Sequence, residues 1–363
     1  MSKMFKNEEI KERAIMVYAC FNPKENTEIK MSELKSLIKA NNIEVLGLLV
    51  QNIKQPDISF LIGKGKLDEL KNLIEETNAN LVVFQNSLTG SKINNLENYL
   101  NCKVIDRTML ILDIFAQRAK SNEGKVQVEL AQLKYTLPRL SGIQSQANRF
   151  GSGGTGMRGP GESKLELDRR KIETQILNKQ KELEKLKAER DVRRKQRINS
   201  NQKSVALVGY TNSGKSTLMN TISKSDVFIK DMLFATLDTT TRKVFLDLNN
   251  TILLTDTVGF VSDLPHELVD AFSATLEESL SSDLLIHVVD LSDPEFNQKE
   301  QITNEVLVKL GVNLNKVITV YNKTDKEHFK NEKGYLEISA KNNINLDKLK
   351  TKIIEFFNNK NKG

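Results

Sequence analysis

Short apolar runs alternate with helical stripes over residues 14–105. Ala14-Ile15-Met16-Val17-Tyr18-Ala19 has the unbroken apolar character of a buried strand. Met31 to Ala40 places Leu34, Leu37 and Ile38 on one face and predicts a helix. Val45 to Val50 reads as a strand, a helix from about Lys66 carries Leu67, Leu70, Leu73 and Ile74, and Leu81-Val82-Val83-Phe84 reads as a strand again. A helix near Ile93–Leu100 and a strand Lys103-Val104-Ile105 complete the series. Such alternation predicts a small α/β domain with a mainly parallel sheet. Gly63-Lys64-Gly65-Lys66 is glycine-rich without the full spacing of a phosphate loop, which favours a plain loop-to-helix connection over a phosphate turn.

From Arg107 the pattern is helical and is expected to stay so to Leu137, where Pro138 ends it. Leu110, Ile114 and Phe115 form one stripe; Val126, Leu130, Leu133 and Leu137 form another; Gly124 weakens the middle. A second long helix is expected from about Ser163 to Ile198, with Leu165, Ile172, Ile176, Leu183 and Leu186 as its apolar seam. Two long helices joined by a loop predict an antiparallel hairpin. The joining loop, residues 139–161, is dense in glycine, and through Arg158 its charges are three arginines. It reads either as a linker or as a fingertip whose arginines and bare amides suit RNA phosphates and exposed bases.

The remainder, 201–363, opens on the apolar run Val205-Ala206-Leu207-Val208. Gly209-Tyr210-Thr211-Asn212-Ser213-Gly214-Lys215-Ser216 follows, and then a helical pattern from Thr217. GxxxxGKS between strand and helix is the phosphate-cradling context: backbone N–H groups close around a polyphosphate at the positive end of the helix. Lys215 is expected to reach the β and γ phosphates, and the Ser216 hydroxyl to ligate magnesium. Phe234-Ala235-Thr236-Leu237-Asp238 stands where a first switch segment belongs, with Thr236 on magnesium and the γ phosphate. Asp256-Thr257-Val258-Gly259 follows a strand. Asp256 would hold magnesium through water, and the Gly259 N–H would sense the γ phosphate. Asn322-Lys323-Thr324-Asp325 follows a further strand, and the Asp325 carboxylate can accept both guanine donors, which adenine cannot match. Ile338-Ser339-Ala340-Lys341 follows another strand and offers backbone N–H to the guanine oxygen. The ordered set predicts a GTP site, with Lys215, Thr236 and Gly259 closest to the chemistry. Phe260 stands where a water-orienting glutamine is found in Ras-like proteins, so slow intrinsic hydrolysis is expected. Asn212 is read either as a turn residue or as a ligand to potassium beside the phosphates. His266, His287 and His328 have no metal-like spacing.

Composition changes this picture little. At 363 residues there is room for two or three cores. The three parts are expected at 1–106, 107–200 and 201–363. The formal charge of +7 is unevenly placed: residues 163–197 hold 13 Lys/Arg against 7 Asp/Glu. That excess suits a polyanion, although for any single lysine or arginine a solvated helix face explains it as well. Two cysteines make neither a disulfide framework nor a metal cluster, and the start carries no apolar signal core. A cytoplasmic protein is expected, without a stable membrane anchor, so any membrane association would be peripheral, and acting as a monomer.

These residues carry a resemblance. Ile62-Gly63-Lys64-Gly65-Lys66, the run Glu123 to Leu133, Gly159-Pro160-Gly161-Glu162-Ser163 leading to Asp168-Arg169-Arg170, and Asp256-Thr257-Val258-Gly259-Phe260 together resemble the HflX family of ribosome-associated GTPases along the chain. The resemblance implies an N-terminal nucleotide-binding-like domain, a helical hairpin and a G domain. It further implies binding to the large ribosomal subunit and its RNA, separation of stalled ribosomes under stress, and an approach of the hairpin loop to the peptidyl-transferase centre. It also suggests ATP use in the N-terminal domain. An RNA-remodelling ATPase is therefore the alternative, disfavoured because 14–105 lacks a complete phosphate loop. A membrane-signalling switch is weaker still, because lipidation signals are missing.

Overall fold

The computed structural model describes residues 11–22, 26–142, 164–198, 202–224, 240–260 and 280–360. The chain forms two compact units, 1–114 with 132–178, and 115–131 with 179–363. The fold is α/β, as the alternation of apolar runs and stripes predicts, with a parallel-sheet P-loop domain in the second unit.

In the first unit β1 (Arg13–Cys20), β2 (Glu44–Asn52), β3 (Leu81–Phe84) and β4 (Lys103–Asp106) make a sheet of order β2-β1-β3-β4, every pairing parallel. The central strands are buried on both faces, which is why β1 and β3 read as continuous apolar runs rather than alternations. Helices α1 (Thr27–Ala40), α2 (Lys64–Thr77) and α3 (Gly90–Leu100) connect them. Helix α2 begins directly after Gly63, whose N–H donates to Gln51 Oε1 at 2.9 Å. The Gly63–Lys66 turn is thus a helix start. Gly90 opens α3 against the chain at Arg139: a Cβ there would stand 2.1 Å from the Arg139 carbonyl oxygen.

The expected single helix to Leu137 is instead two, α4 (Arg107–Arg118) and α5 (Asn122–Thr136). The reason is a cap. Ser121 Oγ accepts the Gly124 N–H at 2.9 Å and the Ser121 carbonyl accepts that of Lys125 at 3.0 Å, so a new helix starts where the apolar stripe alone shows no break. Asp106 does the same for α4, accepting the Met109 N–H at 3.0 Å. A 3-10 turn, Leu137–Gly142, follows Thr136. Helix α6 runs from Lys164 to Ile198 as its seam predicts, and in the second unit Lys179 on α6 pairs with Glu129 on α5 at 2.7 Å. Residues 143–163, most of the glycine-rich tip loop, lie outside the described residues.

The second unit holds a six-stranded sheet of order β10-β9-β8-β5-β7-β6. Its strands are β5 (Lys203–Val208), β6 (Thr240–Phe245), β7 (Thr251–Asp256), β8 (Leu284–Asp290), β9 (Val317–Asn322) and β10 (Leu336–Glu337). Every pairing is parallel except that of β6 with β7. Helices α7 (Lys215–Ser223), α8 (Phe296–Lys309) and α9 (Leu346–Lys360) pack on it. Val205, Leu207, Leu254, Ile286 and Val320 form one side of the core with α7 and α9; Ala206, Val208, Leu285 and Leu307 form the other. The carboxyl ends of β5, β7, β8 and β9 therefore come together, the edge at which open α/β sheets hold ligands. Among the described residues no helix is long and apolar enough to cross a membrane.

Candidate functional site

The loop Gly209–Ser216 leaves the buried end of β5 and enters α7. Two glycines are required by space. Gly209 has φ +144°, and a Cβ there would meet the Val288 carbonyl oxygen at 2.3 Å. Gly214 has φ +96°, and a Cβ would meet Asn322 Nδ2 at 2.3 Å. Asn212, exposed at φ +62°, occupies the left-handed region that asparagine tolerates. Lys215 is 6% exposed and its ammonium donates to the carbonyls of Gly209 at 3.0 Å and Tyr210 at 2.8 Å. Burial pushes it down to about 8; the Asp256 charge raises it and that of Lys323 lowers it further. The cation is thus held in the loop's mouth by the loop's own backbone.

Register places β7 beside β5 so that Asp256 stands level with Leu207. The buried Asp256 carboxylate accepts the Ser216 hydroxyl through Oδ2 at 2.6 Å. The Thr257 hydroxyl donates to the Leu207 carbonyl at 2.7 Å and ties the end of β7 to β5. Val258 is buried as well, and Gly259 lies against the loop, where a Cβ would stand 2.7 Å from Thr211 Cα and 3.0 Å from Lys215 Nζ. Phe260 holds this approach. Its N–H donates to the Gly209 carbonyl at 3.1 Å, and its carbonyl accepts from the Thr211 N–H at 2.7 Å. Its ring is 2% exposed and packs with Ala206, Val208, Leu280 and Leu285. The side chain is spent on the core and presents no polar group to water.

At the far side of the loop, Asn322 braces two segments. Its Nδ2 donates to the Ser213 carbonyl at 2.9 Å, and its Oδ1 accepts the Ala340 N–H at 3.0 Å. The Ala340 N–H, offered to a base on sequence grounds, is here directed at Asn322. The Thr324 hydroxyl donates to the Ile338 carbonyl at 3.0 Å. Asp325 Oδ1 accepts the Ser339 hydroxyl at 2.5 Å, and this bond holds its carboxyl below the usual carboxylate range. Lys341 is exposed beside it.

The structure therefore brings together Gly209 to Ser216, Asp256 to Gly259, Asn322 to Asp325, and Ser339 to Lys341. Phe234, Ala235, Thr236, Leu237 and Asp238 lie outside the described residues. Asp290, at the end of β8, had no motif to mark it, yet it pairs with Lys323 at 2.7 Å. Of the histidines without assigned chemistry, His287 is buried behind the loop and pushed down to about 3, chiefly by burial and then by the Lys215 charge. His328 is exposed, its Nδ1 2.8 Å from the Lys326 carbonyl oxygen, and His266 lies outside the described residues.

Three family descriptions match in succession: "GTP-binding GTPase N-terminal" over residues 28–116, "GTP-binding GTPase Middle Region" over 118–197, and "50S ribosome-binding GTPase" over 204–323. The GTPase HflX of Caldanaerobacter subterraneus subsp. tengcongensis is 48% identical over 341 residues, 93% of this chain and 79% of that relative. The GTPase HflX of Escherichia coli is 41% identical over 323 residues, 89% of this chain and 75% of that one. A GTP-binding protein from the hyperthermophilic archaeon Sulfolobus solfataricus, solved in complex with GDP, matches with a TM-score of 0.51 at 27% identity, covering 95% of this chain and 98% of that one. With the loop, the carboxylate beside Ser216 and the Asn322–Asp325 segment assembled on one sheet edge, and with these relatives, the chain belongs to the HflX family of GTPases.

Proposed function

We propose that this chain hydrolyses GTP to GDP and phosphate and uses the cycle on the large ribosomal subunit, separating stalled ribosomes under stress. The carrying observation is the assembly of Lys215, the Ser216–Asp256 pair and Asp325 along one sheet edge. In that reading Lys215 exchanges its two carbonyl partners for the β and γ phosphates, and the N–H groups of the loop hold the polyphosphate. Asp325, pre-aimed by Ser339, accepts both guanine donors, and Asn322 keeps the base segment in register with the phosphate loop. Thr236 and the Gly259 N–H complete the γ-phosphate end.

Magnesium fits the residues present: a hydroxyl and a buried carboxylate 2.6 Å apart beside the lysine are the hard oxygen donors that ion requires. Ser216 would hold it directly with Thr236, and Asp256 through water; when bound it neutralises charge on the β and γ phosphates. Potassium at Asn212 is the finer reading. It predicts faster hydrolysis in potassium than in sodium buffer, and equal rates would remove it.

The parts we assign are 1–106, a hairpin over 107–200 with its tip at 139–161, and a G domain over 201–363, in a monomeric cytoplasmic protein. The ribosomal reading is supported by the matched description over 204–323 and by the basic helix α6. Sedimentation of the purified chain with ribosomal subunits in a sucrose gradient tests it, with GTP, GDP and ATP in separate arms. Co-migration with the large subunit in the GTP arm is expected. Absence of the chain from the subunit fractions in every arm would end it, and an ATP arm stronger than the GTP arm would favour the N-terminal ATPase instead.

A further inference from the structure

Asp290 terminates β8, and the β8–β9 register sets it level with Asn322, the residue that braces the phosphate loop. Its carboxylate is not a loose surface charge. Oδ1 accepts both the Ser292 N–H at 3.0 Å and the Ser292 hydroxyl at 2.6 Å, which leaves Oδ2 aimed at Lys323 Nζ, 2.7 Å away. Both side chains of the pair are less than one-fifth exposed. Lys323 sits at φ +67°, a backbone region disfavoured for any residue with a Cβ, between the loop-bracing Asn322 and the guanine-reading Asp325. Its charge is felt at Lys215, whose ammonium the loop carbonyls hold. Left alone, two such cations would repel, and the Lys323 side chain, less buried than that of Lys215, would swing into solvent.

We propose that Asp290 is a positioning residue for the guanine nucleotide: held by Ser292, it fixes the Lys323 ammonium at the junction of the phosphate loop and the base-reading segment, where it meets an incoming guanosine di- or triphosphate. The proposal rests on the guanine-nucleotide reading of the site and adds a residue to it. Preorganisation is the physical gain. A cation already fixed loses less side-chain freedom on binding than one recruited from solvent, and Asp290 offsets the repulsion that would otherwise displace it.

A double-mutant cycle on affinity for a fluorescent GDP analogue tests this, using the full chain, Asp290→Asn, Lys323→Gln and the pair together. Asp290→Asn is isosteric and still accepts from Ser292. Each single change is expected to weaken binding about tenfold, and the double change also about tenfold, because both remove the same placed charge. Ser292→Ala, which loosens the carboxylate without removing it, is expected to cost about threefold, and nothing further when Lys323 is already Gln. A double variant weakened about a hundredfold, or an Asp290→Asn chain that binds like its parent, would overturn the proposal. Coupling seen in the melting temperature of the nucleotide-free chains but not in affinity would assign the pair to folding alone and overturn it too. If the parent chain itself fails to bind the GDP analogue, the guanine-nucleotide reading falls, which is a separate result.

Discussion

Lys215 shows how one side chain serves two states. A lysine whose ordinary value of 10.5 is brought to about 8 by burial keeps its proton less readily in the fold than in the unfolded chain. Between those two values the unfolded chain binds more protons, so this group makes the nucleotide-free protein more stable as pH rises from about 8 to 10.5. A diphosphate beside the ammonium restores the charged form, so nucleotide binding within that window draws a proton from the buffer. Titration calorimetry of GDP near pH 9 in two buffers of different ionisation heat should give enthalpies that differ by up to about one proton's worth. Identical enthalpies would show that Lys215 does not meet the phosphates. The companion residue is Asp325, whose carboxylate is already oriented by Ser339. Asp325→Asn can no longer accept from two donors, so the preference for GTP over ATP should fall by about tenfold or more. A variant that keeps the parent's ratio would mean that the base is read elsewhere.

Between residue and fold, the elements are set by caps and close approaches as much as by apolar stripes. Helix α3 begins where its first residue has no side chain to spare: a methyl at Gly90 would lie 2.1 Å from the Arg139 carbonyl oxygen, well inside van der Waals contact. The oxygen belongs to backbone in the 3-10 turn, so it cannot rotate away. Near it Asp106 collects the N–H groups of Leu88 and Met109 and faces the Arg139 guanidinium at 3.7 Å, which ties β4, α4 and the turn together. Gly90→Ala should therefore part α3 from the turn and cost about 1–3 kcal/mol, read as a lower melting temperature. An unchanged melting curve would show that the turn docks loosely there.

At the scale of the molecule, the chain carries in one sequence the GxxxxGKS loop, a basic helix and an arginine-bearing loop. The loop between Gly142 and Lys164 lies outside the described residues, so its role is argued from the sequence and the resemblance. Deleting Gly151–Gly156 leaves every described strand and helix whole. Nucleotide affinity and the melting temperature should stay within error of the parent. Association with large subunits should persist in a salt-dependent way through the remaining basic surface, while subunit separation, followed by light scattering of intact ribosomes with GTP, should fall at least tenfold if the tip must occupy its site. Separation at the parent's rate would make the loop a linker.

The sequence by itself determined the order of elements and motifs: the parallel sheets, the strand–loop–helix around Gly209–Ser216, the aspartate segment after β7 and the Asn322–Asp325 segment after β9. These were legible because their causes are local. Buried parallel strands need apolar runs, a tight loop needs glycine, and each motif is contiguous. The break at Ser121 was not read from the sequence, since a serine marks a cap only once its oxygen meets an N–H three residues on. Tertiary structure alone decided which distant residues meet. That Phe260 buries its ring while its backbone pairs with the phosphate loop depends on β5 lying beside β7 and β8. That Asp290 reaches Lys323 depends on the register of β8 against β9. Strand neighbours and register follow from packing across the whole sheet, which no local spacing records.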